Sequence, residues 1–284
     1  MNAPNTHVIT LCSRDRRTHV QRQIAALAHW APPVTHHTVM IGEQPFSLEH
    51  TSAVDSTGPR PVNLAAARNA GGDAAVAAGA ELLIFLDADC IPGPDLVRFY
   101  QRAAAAQNAP SVLCGPVTYL PQDTWLPEPA SLGEPSALEH VVEHTAPHPA
   151  RPAPPPGQLQ TATQDEYTLF WSLSFAMTTN LWEQTRCAFG GFCEAFTGYG
   201  GEDTDFAMNL HDRGTALTWV GGAHAYHQWH AVSSPPVEHL TEILTNAHLF
   251  HIRWGWWPMT GWLEAFEEQG LVRFTGDRWE ATGQ

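Results

Sequence analysis

The chain has no lysine: its 14 basic residues are all arginine, set against 29 Asp and Glu, for a net charge of −15 with histidine neutral. Lysine Schiff-base chemistry and a lysine-bearing phosphate loop are therefore excluded. The acidic excess argues against a nucleic-acid partner held by backbone neutralisation. It argues equally against a polybasic membrane anchor, though not against a local patch. Cysteine is scarce: Cys12, Cys90, Cys114, Cys187 and Cys193 are scattered and odd in number. That excludes a disulfide-stapled fold and favours a reduced, cytoplasmic setting. Cys187 and Cys193 lack the second cysteine pair a zinc knot needs. Long hydrophobic runs are missing too. Nothing approaches the ~20 apolar residues of a membrane span, and residues 8–11 follow no basic residue, so they read as a strand rather than an export segment. Charged residues make up only 15% of the chain and hydrophobic residues 43%, which excludes a disordered acidic chain or a charge-laced coiled coil.

What is present alternates. Residues 8–12 predict a strand, 18–30 a helix, 38–41 a second strand and 62–80 an alanine-rich helix. Residues 81–86, Glu-Leu-Leu-Ile-Phe-Leu, show no polar alternation and suit a parallel strand covered on both faces. Another helix follows over 95–106. This order implies a three-layer α/β unit with a mostly parallel central sheet, helices on both faces, and its ligand at the C-terminal edge of the strands. Residues 143–165 are crowded with proline and read as a loop insertion, either a linker or a lid beside the site. Strand composition resumes over 169–178. The expected organisation is one domain over 1–233 carrying that insertion. A helical, tryptophan-rich extension over 234–284 is expected to pack on the same domain.

Asp87 and Asp89 stand two apart just beyond the apolar strand. Two carboxylates so close repel unless a cation or donors compensate, which points either to a hard divalent metal or to a capped turn. A second cluster, Gly198-Tyr199-Gly200-Gly201-Glu202-Asp203-Thr204-Asp205, reads as a cleft wall with a carboxylate base, or as a glycine turn into a helix N-terminus. His224, His227 and His230 lie three apart, and at most one is assigned to metal. Arg68, on the helix before the aspartate strand, is a diphosphate contact or a solvent-facing arginine. Trp254, Trp256, Trp257 and Trp262 suit a sugar subsite, a core seam or a patch for peripheral contact with the inner face of the membrane.

Taken in order, Leu64-Ala65-Ala66-Ala67-Arg68-Asn69-Ala70-Gly71, Phe85-Leu86-Asp87-Ala88-Asp89-Cys90, Phe189-Gly190-Gly191-Phe192, Tyr199-Gly200-Gly201-Glu202-Asp203 and Ala225-Tyr226-His227-Gln228 resemble the family 2 glycosyltransferases of GT-A fold. Closest in motif are the C-terminal part of the β-1,4-galactosyltransferases and the chondroitin-type polymerases. The resemblance covers roughly residues 8–230. It implies an inverting hexosyltransferase that moves a hexose or N-acetylhexosamine from a nucleotide diphosphate sugar, a UDP-sugar above all, to a carbohydrate or other hydroxyl acceptor. It further implies Mn²⁺ or Mg²⁺ held by Asp89 and His227, and donor binding by Arg68, Asp87, Asp89, Gly190 and Gly191. Asp203 would be the base, with Glu202 orienting acceptor or donor sugar. The acceptor would meet Tyr199, Glu202, Trp256 and Trp257. Residues 40–43 lack the aspartate with which many relatives contact uracil, so either Glu43 or Asp55 replaces it or the base is not uracil. A catalytically inactive nucleotide-sugar-binding protein and a metal-dependent phosphohydrolase are the rival readings.

Overall fold

The computed structural model describes residues 3–42, 44–107, 109–128, 131–132, 135–144, 146–231 and 233–283. Strand β1 (Thr6–Cys12) is buried throughout and leads into helix α1 (Arg17–Trp30), which returns the chain to β2 (Thr35–Met40). After β3 (Ser52–Asp55), helix α2 (Leu64–Ala77) delivers the apolar run as β4 (Leu82–Leu86). Then come β5 (Cys90–Pro92), α3 (Leu96–Ala106), β6 (Ser111–Cys114), β7 (Val117–Tyr119), and the short edge strand β8 (Leu159–Thr161). The remainder of the α/β layer is β9 (Ser174–Thr178), α4 (Thr179–Phe189), α5 (Glu202–Asp212), β10 (Ala216–Val220) and β11 (Ala225–His227). Among the described residues, no helix is long and apolar enough to cross a membrane.

Eight strands form one sheet in the order β3-β2-β1-β4-β9-β6-β10-β8. The expectation of a mostly parallel sheet needs correction: the sheet is mixed. β9 runs antiparallel to both β4 and β6, and β8 runs antiparallel to β10. The cause lies at the chain's point of entry. The Asp87 N–H donates to the Leu173 carbonyl (2.9 Å), so the chain reaches β9 at the C-terminal end of β4 and must run back down beside it. Only Ser174–Thr178 of the expected strand over 169–178 is extended; Asp165–Leu169 is a 3-10 turn that buries Tyr167.

The period of β4 divides the core. Leu83 and Phe85 face α2, α4 and α5, whereas Leu82, Ile84 and Leu86 face α3. Helix α2 comes unusually near its neighbours because Gly71 and Gly72 have no side chains: a Cβ at 71 would meet Ile9 and Val39 at 2.6 Å, and one at 72 would meet Trp182 at 2.3 Å. That approach fixes where Arg68 and Asn69, one turn earlier, enter the interior. A small second sheet, β5-β11-β7, pairs His227 with both Cys90 and Tyr119.

The proline-rich segment is tied at both ends. The His148 N–H donates to the Val117 carbonyl, and the Gly157 N–H to the Gly221 carbonyl, before β8 joins β10. The C-terminal region contains helices α6 (Leu240–Trp254) and α7 (Thr260–Glu268), and a hairpin of β12 (Val272–Phe274) with β13 (Trp279–Ala281). The five cysteines are free.

Alanine at a helical glycine ordinarily stabilises by about 1 kcal/mol. Gly72→Ala should reverse that sign, because the added methyl overlaps the buried Trp182 ring. We expect a net loss of about 1–3 kcal/mol in urea unfolding, with the denaturant slope unchanged.

Candidate active site

The site is assembled at the end of β4, where the chain turns through residues 87–90. Buried Gln23 of α1 holds this turn: its amide donates to the carbonyls of Asp87 (2.8 Å) and Cys90 (2.9 Å), while its own oxygen accepts from Thr10 (2.7 Å). No spacing or motif marks Gln23, whose role exists only once α1 is laid beside the turn. The two aspartates then part. Asp87 lines a cleft, with Arg68 Nη2 3.9 Å from its Oδ1. Asp89 faces His230 Nε2 at 3.0 Å, His227 Nε2 at 3.8 Å and Arg16 Nε at 3.2 Å.

Asp89, His227 and His230 form a candidate metal centre, since one ligand atom from each lies within 4.8 Å of the others. The β11–β5 register brings His227 beside the turn, and the Gln228 N–H donates to the Asp89 carbonyl (2.7 Å). Asp89 Oδ1 is buried, and although ion-paired it has no hydrogen-bond partner among the described residues. That free acceptor fits a cation. Burial pushes the His227 imidazole down to about 4, against the opposing pull of Asp89, so at neutral pH it offers a lone pair. Burial alone would raise the Asp89 carboxyl, but the His230 hydrogen bond and Arg16 hold it below its ordinary value. Two imidazoles and one carboxylate are a donor set for Mn²⁺ or Zn²⁺ more than for Mg²⁺. His224 lies apart, bonded to Thr118 (2.6 Å) and stacked on Tyr226.

The cleft encloses about 860 Å³ and is lined by Arg68, Asp87, Tyr119, His148, Trp171, Tyr199, Gly200, Gly201, Glu202, Asp203, Met259 and Trp262, among others. It adjoins the metal centre through Tyr119, whose ring stacks on His227 at 4.6 Å. Glu202 is turned inward: Arg68 Nη1 donates to its Oε1 at 2.9 Å, with both side chains buried. Asp203 is half-buried at the first turn of α5, where the Thr204 N–H donates to its Oδ1 (2.7 Å). Asp205 is fully buried and anchors α6, accepting from Arg253 Nε (2.6 Å) and Trp254 Nε1 (2.8 Å). The amide of Asn246 on α6 donates to the carbonyls of Thr197 (3.0 Å), Tyr199 (3.2 Å) and Gly200 (2.8 Å). A helix of the C-terminal extension thus grips the loop that presents Asp203, a role that sequence reasoning missed because Asn246 belongs to no motif.

Gly190, Gly191, Trp256, Trp257 and Asp55 do not line the cleft. Gly190 ends α4, and Gly191 packs against Asn69 Oδ1 and Arg186. Trp256 packs edge-on against Phe250, and Trp257 lies flat on His251 at 4.1 Å. Trp262, stacked with Tyr199 at 5.6 Å, is the tryptophan of that cluster that lines the cleft. Asp55 closes an exposed turn with Thr57, and Glu43 lies outside the described residues.

No protein-family model matches the sequence, and no curated protein matches it. Solved structures do match. The crystal structure of GalNAc-T7 with UDP, GalNAc and Mn²⁺ aligns with a TM-score of 0.50 at 13% identity, over 88% of this chain and 50% of that one. TarS residues 1–349 of S. aureus aligns with a TM-score of 0.52 at 14% identity, over 94% of this chain and 77% of that one. The fold resembles that of the GT-A glycosyltransferases. This chain spans half the length of the first of these relatives, and identities this low establish the fold alone.

Within the GT-A-like fold, charge is concentrated where the cleft meets the sheet. Burial raises Asp203 to about 7, reinforced by Glu202 and opposed by Arg68. Burial likewise raises Asp87 to about 6, again against Arg68. The sign is opposite to that of an ordinary salt-bridged carboxylate. Because the folded pKa lies above the unfolded value of ~3.9, ionising Asp203 costs stability as pH rises from about 4 through 7. Asp203→Asn should therefore melt about 2–6 °C above the wild type at pH 8, with the gap closing toward pH 4. Calorimetric scans across that range check it. For the metal centre, saturating Mn²⁺ should raise the melting temperature by roughly 5 °C. Asp89→Ala and His230→Gln should each lose that gain, as scanning fluorimetry with and without chelator would show.

Proposed function

We propose that this chain is a metal-dependent inverting glycosyltransferase of family 2 type, moving a hexose or N-acetylhexosamine from a nucleotide diphosphate sugar to a hydroxyl acceptor. The observation that carries the reading is the junction of two features at one edge of a GT-A-like sheet. One is the Asp89–His227–His230 cluster; the other is a cleft whose wall presents Asp203 beside the buried Arg68–Glu202 pair. Neither an isolated metal site nor an isolated acidic turn would support it.

Asp89, His227 and His230 would hold the ion, Mn²⁺ by preference. When bound, it supplies positive charge against the diphosphate leaving group. Arg68 adds a fixed charge at the cleft wall, held by Glu202 so that it cannot swing away. Asp87, at the cleft wall beside Arg68, is suited to accept a hydrogen bond from a sugar hydroxyl. Asp203 takes the proton of the acceptor hydroxyl as that oxygen attacks the anomeric carbon from the face opposite the leaving group, so configuration inverts. A carboxylate raised to about 7 is a far better partner for this proton than an ordinary one, because its basicity sits near working pH. Tyr199 and Trp262 provide an aromatic wall on the acceptor side. A cytoplasmic location belongs to the same proposal.

Chromatography of products from a panel of nucleotide sugars with Mn²⁺, and NMR of the new linkage, test the activity. Asp203→Asn should lower transfer kcat by ~10²–10⁴ while donor affinity stays nearly unchanged. The wild-type rate should climb with pH through about 7 as Asp203 ionises. Retention of the donor's configuration, or near-normal turnover in the Asn enzyme, would reject the base and the inverting mechanism together.

A further inference from the structure

Arg151 lies on the strap between β7 and β8, and the mechanism above makes no use of it. The residue is 5% exposed. Its guanidinium sits between two indoles, 5.5 Å from the Trp171 ring centre and 5.1 Å from that of Trp219. Nε, Nη1 and Nη2 are all buried, and none has a hydrogen-bond partner among the described residues. No carboxylate among those residues forms an ion pair with it either. A guanidinium carries five N–H donors and stays charged at any relevant pH, so burying it without an acceptor is costly even with two aromatic faces beside it.

Its position gives this cost a purpose. Trp219 is fully buried and pinned through Nε1 to Glu166 (3.0 Å), so that side is closed. Trp171 is only half-buried and lines the cleft, as does His148, whose carbonyl accepts from the Arg151 N–H (3.1 Å). The charge is felt by Tyr119 and His148, both cleft-lining groups. One indole therefore separates five unused donors from the cleft. The cleft is short of free cations: among the described residues that line it, Arg68 alone carries a permanent positive charge, and Glu202 and Asp87 already engage it. Away from the proposed metal, a ligand bearing phosphoryl groups would otherwise meet Asp87, Glu202 and Asp203 with little positive charge to offset them.

We propose that Arg151 is an anion subsite for phosphoryl oxygens, opened to the cleft when the Trp171 ring moves aside. The subsite itself follows from the buried guanidinium. That its phosphoryl groups come from a nucleotide diphosphate sugar rests on the function proposed above.

Calorimetry and melting curves with inorganic pyrophosphate plus chelator test the subsite, and titration of UDP with Mn²⁺ tests the source. Pyrophosphate should stabilise the wild type, and Arg151→Met should abolish that response and weaken UDP binding at least tenfold. The apo variant should melt no lower than the wild type, because an unpaired buried charge has been removed. Trp171→Ala, which uncovers the guanidinium, should bind pyrophosphate more tightly and decides the matter if Arg151→Met does not fold. A wild type indifferent to pyrophosphate overturns the proposal. So does an Arg151→Met protein that binds it normally, or one that melts several degrees lower with anion binding intact, which would make Arg151 a structural clamp. If UDP with Mn²⁺ fails to bind the wild type while pyrophosphate binding still depends on Arg151, the nucleotide-sugar reading falls and the anion subsite stands. Equal UDP affinity in wild type and Arg151→Met removes Arg151 from the donor site and leaves that reading intact.

Discussion

The buried Arg68–Glu202 pair is the contact on which the rest of the site depends. It joins α2, which is pressed onto the sheet through Gly71 and against α4 through Gly72, to α5, which carries Asp203. Removing Arg68 would leave Glu202 a buried carboxylate without its ion-pair partner, a penalty of ~3–5 kcal/mol in comparable pairs, whereas Arg68 without Glu202 would still face Asp87. The pair also sets the electrostatics around it. Glu202 helps to raise Asp203, and Arg68 restrains the rise of both Asp203 and Asp87. Three carboxyl groups thus share one guanidinium. The site is tuned by having too little positive charge rather than by an even balance.

Much of this architecture was legible in the residues. The uninterrupted apolar run over 82–86 could only be a strand covered on both faces, and the aspartates after it had to lie at its C-terminal edge. The alanine-rich helix, the glycine-and-acid turn at 198–205 and His227 all lie at or beside the site. The direction of β9 was not legible, because strand direction follows from where the preceding loop leaves the chain. His230 was undervalued because, among 16 histidines, no more than one was assigned to metal, whereas β11 and the residues after it bring His227 and His230 together beside Asp89. Glu202 resembled a sugar contact, and only the fold shows that its carboxylate faces Arg68. Trp256 and Trp257 illustrate a general difficulty: a tryptophan-rich run does not say which indole faces a cleft and which packs on its own helix.

The C-terminal extension is part of the site, although the sequence offers it no catalytic motif. Asn246 gathers three carbonyls of the glycine loop, and Asp205 ties α5 to Arg253 and Trp254. Met259 and Trp262 then contribute cleft surface directly. The core of α6 and α7, built on Ile243, Leu244, Ala247, Leu263 and Phe266, is a cluster separate from those flanking the main sheet. Helices with their own core can hold a loop without inheriting every movement of the sheet beneath.

That glycine loop also limits how such a site can diversify. Gly198, Gly200 and Gly201 all have φ between 74° and 93°, where side chains are strained. A Cβ at 198 would strike Glu242 at 2.4 Å, and one at 200 would strike Met259 at 2.6 Å. The loop is closed to new side chains by conformation and by space together. Descendants of this sequence that reshape the cleft here would have to change the neighbouring surface, from Ser233 to Trp262, while the glycines stay silent. Divergence in that stretch, against constancy at 198–201, would be the evolutionary trace of a wall that can be reshaped from one side only.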